Sequence, residues 1–495
     1  MKKIFFHTVI VLTLLLVVGC KDDDNNNNNN CVSNEILLAE TDSLQFQPED
    51  FVSITNNGRL VTEEDWGVSS PVVTNVFRVV VIILRKVFGS FIDAQAPALD
   101  KLFEAEAGLD KQEDHCWQME SYGFNYRSKS ARGADVVLSG RVTFPNHKTK
   151  GIGHQVKSLT LNMHHALNMV SMTPSQMLDL WILRAYFNEA VIEPDGQGLG
   201  VNLGKDYHCT VSSDVLARQM ADCTLAALEV MRQHGVTLAA DGHSICTSCS
   251  LGAAVPLMFA KYYETEASPS FRQTIKLNAV YTGFGPMDFE DCIRYFSDHP
   301  NFNAMLSKSM VFSLAALPSE QLYGYRAQDF VNPTMLNTQV EYEGRTMSYY
   351  EAESKYFANV VGTTKNMPNP KKLSEILAPD MLTKNGHLDD TNPKTQALLR
   401  VLAEQNNLSG WLPTTQIYIM HAKQDDGIPV EQARKCYEAL SNGGQMPNVH
   451  YQETSFLPIL AELAKLPKVG IMHLISTMSF MSIYMKEDPS MEFNL

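Results

Sequence analysis

Ile245-Cys-Thr-Ser-Cys-Ser-Leu-Gly-Ala-Ala254 is the stretch on which the reading of this 495-residue chain turns. Ile245 to Cys249 reads as the end of a buried strand, and the small then apolar residues after Ser250 carry helical spacing. Ser250 therefore stands at the apex of a sharp strand-to-helix turn. Such a turn presses backbone against backbone two positions before and two after its apex, so those positions need small residues. Ser248 and Gly252 supply them, and Gly252-Ala253-Ala254 lets the helix pack closely. A second serine lies upstream in Gly242-His-Ser244-Ile-Cys246, with glycine at the first small position but cysteine at the second. More strand follows Ser244, which favours Ser250, although either could be a plain buried strand serine. A thiol nucleophile at Cys246 or Cys249 would miss the apex in the register set by Gly252.

Serine is a poor nucleophile near neutral pH, so it needs a histidine to take its proton and an acid to orient that histidine. Ile417 to Met420 reads as a buried strand running into the loop His421-Ala-Lys-Gln-Asp425-Asp-Gly-Ile-Pro429. Asp425 is the expected acid. Asp426 is its competitor, and the alternative role for Asp425 is capping the helix that starts near Val430. His473, in Gly470-Ile-Met-His473-Leu-Ile at the start of the last helix, is the expected base. His450 is flanked by Val449 and Tyr451 within a strand and reads as structural.

Around these residues the chain alternates strands and helices, which implies a mostly parallel sheet covered on both faces. Two aromatic and β-branched runs, Trp117 to Arg127 and Asp135 to Phe144, form a hairpin. Further strands are expected at Leu159 to Met163, Ala190 to Glu193, His243 to Cys249, Ile275 to Tyr281, Gln416 to His421 and Val449 to Glu453. Helices are expected at Met172 to Tyr186, Val211 to His234, Leu251 to Tyr263, Val430 to Leu440 and His473 to Tyr484. The alternation lapses between Met287 and Leu412, where helical periodicity and Met, Phe and Tyr side chains suggest a largely helical cap. The expected organisation is a core in two parts, 115–286 and 413–495, interrupted by a cap at 287–412 and preceded by an extension at 35–114 that packs on the core.

On these motifs the chain resembles the α/β-hydrolase superfamily, and more loosely its secreted lipase and esterase branches. Ser250, Asp425 and His473 follow the family's order of nucleophile, acid and histidine. The run His164-His165-Ala166 is similar to its oxyanion loop, and Pro194-Asp-Gly-Gln-Gly-Leu-Gly200 to its Pro-Asp-x-x-Gly-x-Gly turn. Ser248 stands where the elbow's first glycine is usual, and His165 where the loop has glycine. The resemblance implies an α/β-hydrolase fold and ester cleavage through an acyl-enzyme. It also implies an oxyanion hole made by the backbone N–H groups of Leu251 and Ala166. A peptidase of the same fold, or a non-catalytic binding protein that keeps it, is the alternative reading. This chemistry calls for no metal and no organic cofactor.

At the N-terminus Lys2 and Lys3 precede an apolar run that closes at Gly19-Cys20 and is short for a membrane span. Val17 to Cys20 resembles a lipobox, so residues 1–20 read as a lipoprotein signal with Cys20 as the lipidated residue. The Asp- and Asn-rich segment 21–34 cannot bury a core and reads as a solvated tether. Its acidic start resembles the export signal of Bacteroidota surface lipoproteins, which implies a cell-surface position on the outer membrane. With 40 basic and 55 acidic side chains the net charge is -15, which disfavours a nucleic-acid or anionic-membrane surface as partner; a small ester or acyl compound as substrate is what the family resemblance implies. Eight cysteines remain besides Cys20; their spacing names no disulfide, and Cys246-Thr-Ser-Cys249 has no second CxxC to complete a zinc site.

Overall fold

The computed structural model describes residues 43–46, 119–145, 155–164, 189–209, 212–299, 324–342, 344–356, 364–366, 368, 372–423, 425 and 427–454. Its strands are β1 Ser43–Phe46, β2 Met119–Lys129, β3 Asp135–Pro145, β4 Gln155–Asn162, β5 Glu189–Pro194, β6 Thr237–Cys249, β7 Leu277–Gly283, β8 Gln339–Tyr342, β9 Arg345–Ser348, β10 Thr364–Lys365, β11 Gln416–Ala422 and β12 Val449–Thr454. Nine of them form one sheet in the order β1-β2-β3-β5-β4-β6-β7-β11-β12. Pairing is antiparallel from β1 to β3 and between β3 and β5. From β5 through β4, β6, β7 and β11 to β12 it is parallel.

Parallel strands read as near-continuous apolar runs because both faces are covered. In β5 all six residues are buried, including two glutamates. Those carboxylates are met by neighbouring β4 side chains: Thr160 donates to Glu189 at 2.9 Å and Asn162 to Glu193 at 2.7 Å. On one face lies helix α1, Ser213–Gln233, which buries Leu216, Met220, Cys223, Ala227 and Met231. Helix α2, Ala254–Thr265, buries Val255, Leu257, Met258 and Phe259. These side chains and those of the central strands make the main hydrophobic core.

Among the described residues most expected elements sit within a few residues of their sequence positions; the helices expected at 172–186 and 473–484 and most of the extension at 35–114 lie outside the described residues. One strand is much longer than its apolar pattern suggests. β6 begins at Thr237 rather than His243, and its first five residues are exposed or half-buried, so no apolar alternation marks them. Ile275 ends a short helix, Pro269–Ile275, whose N-cap Ser268 accepts from the Phe271 N–H; β7 starts only after Lys276 has turned through φ 49°.

Between Phe289 and Gln405 a second core forms, built on Phe289, Ile293, Phe330, Tyr342, Tyr349, Leu377 and Leu398. The helices Phe289–Asp298 and Pro393–Gln405 pack against each other at its base. Helices are joined there by a small antiparallel sheet, β10-β8-β9, which helical periodicity did not announce. Leu199 and Leu251 also belong to this core, so the insertion is packed onto the residue that follows Ser250. The chain returns from it over Glu264 of α2, which accepts hydrogen bonds from Trp411 Nε1 and from the Thr414 and Thr415 N–H groups.

Candidate active site

Ser250 is the first residue after β6, and a short 3-10 turn, Ser250–Gly252, leads from it into α2. Its φ is 54°, the left-handed region that non-glycine residues rarely occupy. Such a conformation persists only where the surroundings over-determine it, and it is common where a side chain must be presented at a site. Here the surroundings are tight. A β-carbon at position 285 would stand 1.8 Å from the Ser250 carbonyl oxygen, and one at position 252 would stand 2.3 Å from Ser248 Oγ. Thr282 Oγ1 donates to the Ala253 carbonyl and holds the first turn of α2 on β7. Ser244, the alternative serine, is fully buried five residues inside β6, and its hydroxyl donates to the Ile275 carbonyl.

The strand register shows what faces Ser250. Cys249 pairs with Gly283, and Gly283 with Met420, so Ser250 and Phe284, the first residues after β6 and β7, lie level with His421 near the end of β11. Neighbouring strands lie about 4.8 Å apart, which puts the Ser250 and His421 backbones on the order of 10 Å apart at the carboxyl edge of the sheet. This edge is where open α/β sheets bind ligands. Phe284 also has a positive φ, 52°, and its ring lies 5.6 Å from that of His421.

Asp425 follows, with its side chain fully buried. Its Oδ1 accepts the N–H groups of Gly427 at 2.8 Å and Ile428 at 2.9 Å. The carboxylate thus organises its own loop, and the helix after it, Val430–Leu440, begins beyond Pro429 with no side-chain cap. The capping alternative for Asp425 is therefore not what the structure shows. His421 Nε2 lies 3.0 Å from the Ile428 carbonyl, which can only accept, so that nitrogen carries a proton. Asp425 Oδ2 is 3.5 Å from the same nitrogen. His421 stood in the quoted loop without a role; a histidine seven residues before its partner offers no local signal.

On the other side of Ser250, β4 ends beside β6. The Met163 N–H donates to the Thr247 carbonyl at 3.0 Å, and Ser248 Oγ donates to the Met163 carbonyl at 2.7 Å. His164 Nε2 meets the Asp195 carbonyl at 2.9 Å, again as donor. Asp195, in the Pro194 to Gly200 turn, is fully buried and accepts from Ser139 Oγ. Leu251 is buried at the start of the turn into α2. His473, Ala166, His165, Asp426 and Cys20 lie outside the described residues. His450 sits in β12, three residues before the level of the site, with its ring stacked on Tyr418 and its Nε2 at 3.1 Å from Gln416.

The thiols next to the elbow are structural in their surroundings. Cys246 is fully buried with its sulfur 3.5 Å from that of Met220, and burial pushes its thiol well above the ordinary range. Cys246 and Cys249 form no disulfide with each other, and all six described cysteines are buried thiols. Among the described residues no three His, Cys, Asp or Glu side chains are placed to hold a metal ion.

No family model matches the chain. No curated protein matches it in sequence. Solved structures do. The rice cell wall degrading esterase LipA from Xanthomonas oryzae aligns at TM-score 0.57 and 16% identity, over 78% of this chain and 94% of its own. Its ligand-bound form aligns at 0.56 and 15% identity, over 78% and 94%. A candidate hydrolase from Legionella pneumophila aligns at 0.54 and 17% identity, over 79% and 96%. At these identities the likeness is one of fold, and the fold is the α/β-hydrolase type expected from the sequence: a mostly parallel sheet flanked by helices, with an insertion ahead of β11, the strand that leads into the Asp425 loop.

Proposed function

We propose that the protein is a serine hydrolase that cleaves carboxylic esters. The observation that carries this reading is Ser250 at the apex of a strained turn, φ 54°, at the carboxyl edge of the sheet and two strands from the Asp425 loop. Ser250 Oγ attacks the acyl carbon while His473 accepts its proton, and Asp425 orients the imidazole and stabilises its charged form. The oxyanion is held by the backbone N–H groups of Leu251 and Ala166. When the tetrahedral intermediate collapses, the alcohol leaves with the proton from His473. Water then attacks the acyl-enzyme with His473 again as base, and as the bond to Ser250 Oγ breaks His473 returns the proton to that oxygen and the carboxylic acid departs. The esterase named among the structural neighbours supports ester over amide as the scissile bond.

In this reading the core comprises 115–286 and 413–495, with 287–412 as a cap over the nucleophile and 35–114 as an extension on the core. Cys20 carries a lipid that anchors the chain to the outer membrane, with 21–34 as tether. The test is Ser250→Ala in protein lacking the first 31 residues: p-nitrophenyl ester turnover falls to background, and undiminished turnover removes Ser250 from the reaction. Aminoacyl amides run beside the esters separate the esterase from a peptidase.

A further inference from the structure

We propose that Ser248 is a positioning residue, whose hydroxyl ties the end of β4 to the turn that carries Ser250 and so fixes where the proposed Leu251 oxyanion donor stands. The inference rests on the serine-hydrolase reading above.

The backbone ladder between β4 and β6 ends at Asn162 and Thr247. One residue further on, the Met163 N–H still reaches the Thr247 carbonyl, but the Met163 carbonyl has left the ladder. In a buried position that oxygen needs a donor. Ser248, itself fully buried, provides it at 2.7 Å. The hydroxyl has room only because residue 252 lacks a side chain: a β-carbon there would stand 2.3 Å from Ser248 Oγ and 2.7 Å from the His164 carbonyl oxygen. The side chain of Ser248 and the main chains of 163–164 and 252 therefore converge on one spot. Leu251 is the residue before Gly252, and Ala166 lies two residues beyond His164.

The proposed Leu251 donor belongs to the turn after β6, and the end of β4 lies beside that turn, so the donor's placement depends on how the two elements are joined. Ser248 joins them directly. The His164 ring, donating to the Asp195 carbonyl, ties the same strand end to the neighbouring turn from the opposite side. Two side-chain ties on consecutive residues, 163 and 164, thus hold the end of β4 in place. A hydroxyl where the family resemblance leads one to expect glycine is thus a structural link across the site.

The test uses the full-length protein in detergent, with Ser248→Gly, Ser248→Ala, Ser248→Thr and Ser250→Ala assayed on p-nitrophenyl butyrate. Sites are counted by titration with a fluorophosphonate, so kcat refers to folded molecules only. Glycine suits this turn and retains the fold; threonine retains the hydroxyl. Misplacing an oxyanion donor costs less than deleting one, so kcat falls by about 10- to 100-fold in the Gly and Ala variants. KM stays within about twofold, because the donors act on the transition state, and Thr restores kcat to within about threefold of the parent. Affinity for phenylboronic acid, which forms a tetrahedral adduct, falls in parallel with kcat. Gly and Ala variants with parental kcat, or equal losses in all three, overturn the role of Ser248 while Ser250→Ala still abolishes turnover. Absent turnover in the parent, or turnover that survives Ser250→Ala, overturns the hydrolase reading and this inference with it.

Discussion

Gly285 passes so close to Ser250 that a β-carbon on it would stand 1.8 Å from the Ser250 carbonyl oxygen and 2.5 Å from Ala253 Cβ. The constraint is steric, since Gly285 is not among the glycines with positive φ. The segment after β7 is therefore the floor on which the strained turn rests. Gly285→Ala must push the turn or the segment aside, and Ser250 no longer keeps its left-handed conformation. The expected result is a fall in ester turnover of at least ~10²-fold and a loss of stability of about 1–3 kcal/mol, read by urea unfolding. Parental turnover in this variant would show that the turn tolerates displacement.

Ser244 is a neighbour in sequence but not in role. Its hydroxyl donates to the Ile275 carbonyl from inside β6, where no substrate has access. Ser244→Ala is expected to lower stability by about 1 kcal/mol and leave kcat within about twofold of the parent. A collapse of kcat with intact stability would move the nucleophile to Ser244.

Asp425→Asn retains an oxygen able to accept from the Gly427 and Ile428 N–H groups, so the loop keeps its shape and stability changes by no more than about 1 kcal/mol. In the proposed mechanism this removes the charge that stabilises the imidazolium. On the precedent of serine hydrolases generally, kcat falls by ~10³- to 10⁴-fold. Asp426→Asn, assayed in parallel, stays within about threefold. The opposite ranking of the two variants would assign the acid to Asp426.

His208 makes acid stability measurable at one residue. Burial pulls its imidazole down to about 3, against a smaller upward pull from a hydrogen bond with the Glu353 backbone. Above about pH 6.5 the ring is neutral in both folded and unfolded chains and has no effect on stability. Below that value the unfolded chain takes up a proton that the folded chain refuses, so stability falls until the pH nears 3. Between pH 7.5 and 5 the loss is about 2 kcal/mol from this residue. Urea midpoints of His208→Gln should show a correspondingly shallower decline over that interval; an unchanged decline would mean that His208 is protonated in the folded state.

The parts of the site that were legible in the sequence are those encoded locally. Ser250 was marked by a change from strand to helix spacing within a few residues, and Asp425 by an apolar strand ending in a polar loop. The connections between them were not. Ser248 and Met163 are 85 positions apart, and a serine in place of glycine reads as a tolerated substitution until its acceptor is seen. Gly285 resembles any loop glycine, because its neighbour Ser250 comes from another strand. The first five residues of β6 carry no such signal, since they are exposed or half-buried and strand periodicity is a burial signal. β8 and β9 are four residues each, too short for alternation to stand out in a segment of helical character.

The most direct test of Ser250 as nucleophile is covalent. A fluorophosphonate reacts with an activated serine and leaves a stable adduct whose position a peptide map reads. The predicted result is one adduct, on Ser250, lost in Ser250→Ala and slowed by at least ~10²-fold in Asp425→Asn. No adduct, or an adduct on another residue, would contradict the assignment.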